Sequence, residues 1–167
     1  DCTPKCVVGS SGPYHELNTT RIADDPTLAF PLVKETSTAL IQYTSGSTGH
    51  PKGVVISHQN IRSNHDLISG ILRRSTSIPV ETIVSWLPHF HDMGLIGNYL
   101  LGLRFGWTGH YMAPETFLTN PKLFLRIMSE TRANTLSMPN MALELMAGTG
   151  PDANLDFSSL AALFVGA

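Results

Sequence analysis

Charged side chains are scarce in this 167-residue chain, at 14% of the total, and neither sign dominates. With a net charge of −2 there is no basic footprint for nucleic acid and no polybasic patch for an anionic membrane surface. Long apolar runs are missing too: none reaches the ~18 residues that a membrane-spanning helix needs. Cysteine is limited to Cys2 and Cys6. No second pair exists to complete a zinc site with them, so they read as two ordinary thiols suited to a reducing cytoplasm. Repeats and low-complexity tracts are absent. Asp1 is followed by neither a basic n-region nor an apolar h-region, so no signal peptide is expected. What is present is the 42% hydrophobic content of a globular domain able to bury a core. Residues 161–167 (AALFVGA) form an apolar strand-like run. Domains seldom end that way, and the chain reads as a piece of a longer protein.

Residues 1–38 are mixed, with a possible short strand at Lys5–Val8 and turn signals at Ser10–Pro13 and Asp24-Asp25-Pro26. From Thr38 the pattern becomes regular. Strands are expected over residues 39–44, 53–57, 82–87, 108–112, 134–138 and 163–165. Ser57 is placed to cap a helix over residues 59–73, whose residues Ile61, Leu67, Ile68, Ile71 and Leu72 share a face. Residues 93–103 read as an apolar helix buried on more than one side, with Asn98 its only clear polar residue. Pro121 opens a helix to Thr131, and another is expected over residues 140–146. Strands and helices alternating at this spacing predict an α/β fold with a mostly parallel sheet and flanking helices.

The strongest local signal is the segment Tyr43-Thr44-Ser45-Gly46-Ser47-Thr48-Gly49-His50-Pro51-Lys52-Gly53. Small and hydroxylated residues between two apolar strands expose backbone N–H groups and hydroxyls together, and glycine lets the backbone approach a ligand closely. Phosphate oxygens suit such a surface, and Lys52 adds a positive charge. The plain alternative is a flexible Gly/Ser turn with a surface lysine, but a simple hairpin would need neither the length nor the lysine. The spacing of Gly, Lys and Ser/Thr is not that of a Walker A loop.

Thr44-Ser45-Gly46-Ser47-Thr48-Gly49-x-Pro51-Lys52-Gly53 resembles the phosphate-binding motif of the adenylate-forming superfamily, which includes acyl-CoA synthetases and peptide-synthetase adenylation domains. Ser85 to Gly97 (SWLPHFHDMGLIG) resembles the Trp-Leu-Pro-x-x-His-Asp-Met-Gly-Leu signature of fatty acyl-AMP ligases. Residues 138–145 are similar to a segment that lines the acyl pocket there, and residues 155–167 to the approach to the adenine. The resemblance covers about Leu28 to Ala167. Read without it, His89, His91 and Asp92 could be zinc ligands or a plain structural turn. Trp86 and Phe90 read as core.

The resemblance implies part of the large N-terminal domain of an adenylate-forming enzyme that uses ATP and Mg²⁺ to turn a fatty acid into its acyl-adenylate. Lys52 and His91 are then the candidate catalytic residues. Thr44, Ser45, Gly46, Ser47, Thr48, Gly49 and Lys52 would hold phosphate, with Thr44 and Thr48 also near Mg²⁺, and Gly166 and Ala167 would lie along the adenine. His91, Asp92, Met93, Gly94, Pro139 and Asn140 would border the acyl substrate. The helix over 93–103 and the 138–145 segment would wall the fatty tail, with Met141 and Met146 as adaptable filler. The implied acceptor is an acyl carrier protein, in a cytoplasmic pathway. The family's Mg²⁺-binding Glu, ribose-binding Asp and C-terminal catalytic Lys lie beyond this sequence, so the segment by itself is expected to be inactive and marginally stable. Two alternatives stand beside this reading: an acyl-CoA or aryl-CoA ligase of the same superfamily, and a degenerate, non-catalytic binding domain.

Overall fold

A computed structural model describes residues 32–44, 51–150 and 152–166. The expectations at Cys2, Cys6, Lys5–Val8, Ser10–Pro13 and Asp24–Pro26, within the 45–50 loop and at Ala167 lie outside those residues. The chain divides into two units, Asp1–Val33 and Lys34–Ala167. Of the first, Leu32 and Val33 are described, and both are exposed. The following concerns the second.

Strand-favouring residues, Ile41 and Tyr43 in one and Val54, Val55 and Ile56 in the other, form β1 (Thr38–Thr44) and β2 (Lys52–Ser57), which pair antiparallel as a two-stranded ribbon. The expected strands are there, and they pair with each other. Ser57 then caps α1 (His58–Ser75): its hydroxyl accepts from the Asn60 N–H at 3.2 Å, and Asn60 Oδ1 accepts from the Ser57 N–H at 3.0 Å. This is a capping box with Asn where Glu or Gln is usual. Arg73 and Arg74 sit in the last turn, where they complement the helix dipole.

The second sheet is parallel, with β3 (Thr82–Ser85), β4 (Thr108–Tyr111), β5 (Thr135–Met138) and β6 (Ala162–Val165) in the order β4-β3-β5-β6. The α/β class and the parallel sheet are therefore as expected. The chain steps from β3 outward to β4, then returns past β3 to β5 and on to β6. Parallel crossovers are right-handed, so this reversal puts the connecting helices on opposite faces. One face carries Val84, Leu136 and Met138, packed with Phe117 of α4 (Pro114–Thr119), Phe124 and Met128 of α5 (Pro121–Glu130) and Ala142 of α6 (Asn140–Ala147). Trp86 stacks on Phe117 with ring centroids 4.2 Å apart, and Phe117 meets Phe124 edge-on. Such pairs add ~0.5–1.5 kcal/mol beyond their burial. Helix α4 has no counterpart among the expected elements. It is six residues long, and Phe117 is its one buried side chain. Asn134 ties the sheet together below: its Oδ1 accepts from the N–H groups of Glu81 and Thr82, and its Nδ2 donates to Ser159 O.

The other connection departs from the expected single apolar helix. It runs as α2 (Asp92–Gly94), a π-helical segment (Leu95–Leu100) and α3 (Leu101–Phe105). Leu103 is 77% exposed, whereas Asn98 is fully buried. A π turn accompanies the inversion. Side chains bond two carbonyls in and beside the π segment, which marks it off from ordinary helix. Asn98 Nδ2 donates to Met93 O at 2.9 Å, and His65 Nε2 of α1 donates to Ile96 O at 2.9 Å. Phe90 is also not core. It is 78% exposed in the turn before α2, while Trp86 is buried as expected.

Candidate active site

In open parallel sheets, ligands bind beyond the carboxyl ends of the strands, near the point where the strand order reverses. Here the reversal lies between β3 and β5. Residues 86–94 leave the carboxyl end of β3, Pro139 and Asn140 that of β5, and Gly166 that of β6. Three separate stretches singled out in the sequence thus come to one edge.

The turn after β3 is built around contact with Gly94. A methyl there would lie 2.1 Å from the Pro88 carbonyl oxygen. Its φ of −68° is ordinary helix, so glycine is required by proximity and not by backbone conformation. The same Pro88 carbonyl accepts the His91 N–H at 3.1 Å, which closes the turn. His91 caps α2, and its Nδ1 lies 2.8 Å from Asp92 Oδ1 and 3.3 Å from the Met93 N–H. The Met93 N–H is already held by Asp92 Oδ1 at 2.7 Å. Nδ1 either donates to Asp92 Oδ1 or accepts from the Met93 N–H, and the two contacts are alternatives set by the protonation of the ring. Both side chains are more than half exposed. Met93 continues toward β6: a Cβ at Gly166 would sit 3.3 Å from Met93 Cε, and the Gly166 N–H donates to Met138 O.

Behind this turn lies a cavity of about 790 Å³, within the range of small-molecule sites. His91 and Asp92 stand on its wall. Its floor is the second face of the sheet: Ile83, Thr135, Ser137 and Phe164. Met93, Ile96, Gly97 and Leu101 form one side, and Asn60, Ile61, Asn64 and Ile68 of α1, with Ile56 of β2, form the other. The lining is mostly apolar, with polar groups from His91, Asp92, two asparagines and two hydroxyl residues. Such a space suits an apolar chain that carries one polar end.

The apolar run 93–103 contributes Met93, Ile96, Gly97 and Leu101 to this cavity. The 138–145 segment does not: Met138 and Ala142 are buried in the core on the opposite face, and Met141 is exposed. Pro139 and Asn140 lead into α6 and are not among the cavity residues. Thr44 and Lys52 are register partners where the ribbon meets its loop, both exposed. The α1 wall and the pair Thr135 and Ser137 escaped the sequence reading. The available signal was the alternation Thr135-Leu136-Ser137-Met138, hydroxyl and apolar residues in turn. Among the described residues, no three His, Cys, Asp or Glu side chains are grouped as metal ligands, so His89, His91 and Asp92 are not assembled as a zinc set. No helix among the described residues is long and apolar enough to cross a membrane.

The fold and this edge define a doubly wound α/β protein with an apolar ligand cavity at the carboxyl ends of its parallel strands. The chain belongs to the AMP-binding enzyme family, whose profile matches residues 3–167. That match reaches well before Leu28, where the sequence motifs alone ran out. The chain is 40% identical to the medium-chain-fatty-acid–[acyl-carrier-protein] ligase TtuA of Teredinibacter turnerae, over 81% of its own length and 21% of that protein's. It is 41% identical to the long-chain-fatty-acid–AMP ligase FadD28 of Mycobacterium tuberculosis, over 66% of this chain and 20% of that one. Among solved structures, the fatty acyl-adenylate ligase from L. pneumophila in complex with acyl adenylate and pyrophosphate superposes with a TM-score of 0.70 at 36% identity. That match covers 82% of this chain and 24% of that one. The chain therefore spans about a fifth of the length of the curated relatives it matches.

Proposed function

We propose that the protein carrying this chain activates a fatty acid with ATP and passes the acyl group to an acyl carrier protein. The observation that carries the reading is the apolar cavity with His91 and Asp92 on its wall, at the carboxyl ends of β3 and β6. A fatty acid fits it with the tail among the isoleucines and the carboxylate toward His91. The carboxylate oxygen attacks the α-phosphorus of ATP, the bond to the β-phosphate breaks, and pyrophosphate leaves with its electron pair. No proton needs to move in this step, so the protein's work is to position two anions and offset their charge. His91 faces the acyl carboxylate and α-phosphate in this reading, with Asp92 beside it. Lys52 and the hydroxyls of the 44–49 loop hold the phosphates.

Mg²⁺ would offset triphosphate charge, and Thr44 and Thr48 are the hydroxyl ligands proposed for it. The donor chemistry fits: Mg²⁺ takes few protein oxygens and leaves most positions to phosphate and water. Thr44 is exposed at the loop's edge and offers one such oxygen. Gly166 and Ala167 are proposed to run along the adenine.

The similarity to TtuA, a medium-chain-fatty-acid–[acyl-carrier-protein] ligase, supports the carrier-protein acceptor, and the proposed setting is the cytoplasm. The test is pyrophosphate exchange into ATP by the full-length protein, dependent on added fatty acid, followed by an offer of coenzyme A or acyl carrier protein. Exchange with acyl transfer to the carrier is the expected result. Exchange with efficient acyl-CoA formation overturns the acceptor, and no exchange with any fatty acid overturns the reading.

A further inference from the structure

We infer that Gly97 sets the bulk and length of the acyl chain the cavity accepts, an inference that rests on the reading of that cavity as the acyl site. Gly97 sits inside the π-helical segment and lines the cavity. A Cβ built on it meets nothing within 4 Å. The contrast with its neighbour is informative. Gly94, in the same helical run, is pressed against the Pro88 backbone, so its lack of a side chain is structural. Gly97 has no such constraint. Glycine inside a helix weakens it relative to alanine, and here the structure supplies no packing reason for one. What the missing side chain leaves is open volume, bounded by Ile96 and Leu101 on its own helix and faced by Ile61 and Ile68 of α1.

The π turn makes this placement dependable. Wider winding shifts the following residues around the helix axis, and the segment is held by bonds from Asn98 to the Met93 carbonyl and from His65 to the Ile96 carbonyl. Asn98 is thereby drawn inward and Leu103 outward, while Gly97 remains on the cavity wall. Any side chain at position 97 would enter space that an acyl tail needs, and larger ones would leave room only for shorter tails.

The experiment uses the full-length protein with Gly97→Ala, Gly97→Val and Gly97→Phe, and Leu103→Phe as a control on the exposed side of the same run. Fatty-acid-dependent pyrophosphate exchange is measured from hexanoate to hexadecanoate, with displacement of a bound fluorescent fatty acid as a second readout. The expected result is a graded shift toward shorter acids through the series. Gly97→Phe should lose at least about tenfold in kcat/KM for long chains, the discrimination a pocket gains from excluding a methylene. The Leu103→Phe profile should stay near wild type, since that residue lies on the exposed side. Gly97→Ala and Gly97→Val keep the test decisive if the Phe variant does not fold, since alanine is the better helix former. A wild-type protein with fatty-acid-dependent exchange, whose chain-length profile is unchanged in all three variants, overturns the inference alone. A wild-type protein that exchanges with no fatty acid overturns both the acyl reading and the inference.

Discussion

One methyl group, added at Gly94 or at Gly97, should have opposite effects on stability although the two sites lie in the same helical run. At Gly94 the new carbon would stand 2.1 Å from Pro88 O, 2.9 Å from Pro88 C and 3.2 Å from Leu87 O. All three are backbone atoms, so no side chain can swing away, and the turn or the helix must move. Overpacking of this kind costs ~1–3 kcal/mol. The gain in helix propensity from Gly to Ala offsets ~0.5–1 kcal/mol. The net loss is ~0–2.5 kcal/mol by these figures. At Gly97 no atom lies within 4 Å, so only the gain remains. For a domain of ordinary size each kcal/mol moves the melt by ~2–4 °C. Thermal melts of the two full-length variants should therefore separate by several degrees, with Gly94→Ala below wild type and Gly97→Ala at or above it. Gly94→Ala should also lower pyrophosphate exchange per folded molecule, because the displaced turn carries His91 and Asp92. A Gly94→Ala protein that melts at or above the wild-type temperature refutes the reasoning.

Lys52→Ala and Thr48→Ala should each lower exchange about tenfold to a hundredfold, the ~1.5–3 kcal/mol of a hydrogen bond to a charged group; unchanged rates in both would remove the loop from the site. His91→Ala should weaken adenylation with little change in melting, since the side chain is more than half exposed, and a sharp fall in melting with normal activity would make it structural. His65 adds a pH dependence. Burial lowers its pKa from the ordinary 6.5, the bond to Ile96 O opposes that, Arg104 lowers it and Asp66 raises it. Below about pH 6.5 the unfolded chain binds a proton that the folded chain resists, so stability falls with pH down to the lowered folded value and levels off beneath it. His65→Gln should flatten that slope in melts taken between about pH 7.5 and 5.5.

Local chemistry in the sequence was enough for much of this molecule. Ser57 and Asn60 mark the start of α1, Pro121 starts α5, and the apolar strand runs have the lengths that buried parallel strands require. The order of loop residues from Thr44 to Gly53 and the run from Ser85 to Gly97 identified the family without any coordinates, because both depend on contiguous residues. Whatever depends on distant residues meeting was decided only by the tertiary structure. The order β4-β3-β5-β6 puts the ends of β3, β5 and β6 on one edge, which no local pattern encodes. The π segment buries Asn98 and leaves Leu103 exposed, with Asn98 and His65 bonded to the Met93 and Ile96 carbonyls. Within the 138–145 segment, Met138 and Ala142 pack in the core on one face of the sheet, Met141 and Leu145 are exposed, and the cavity lies across the sheet. The two glycines, alike in sequence, differ only in what surrounds them: backbone against Gly94, open cavity beside Gly97.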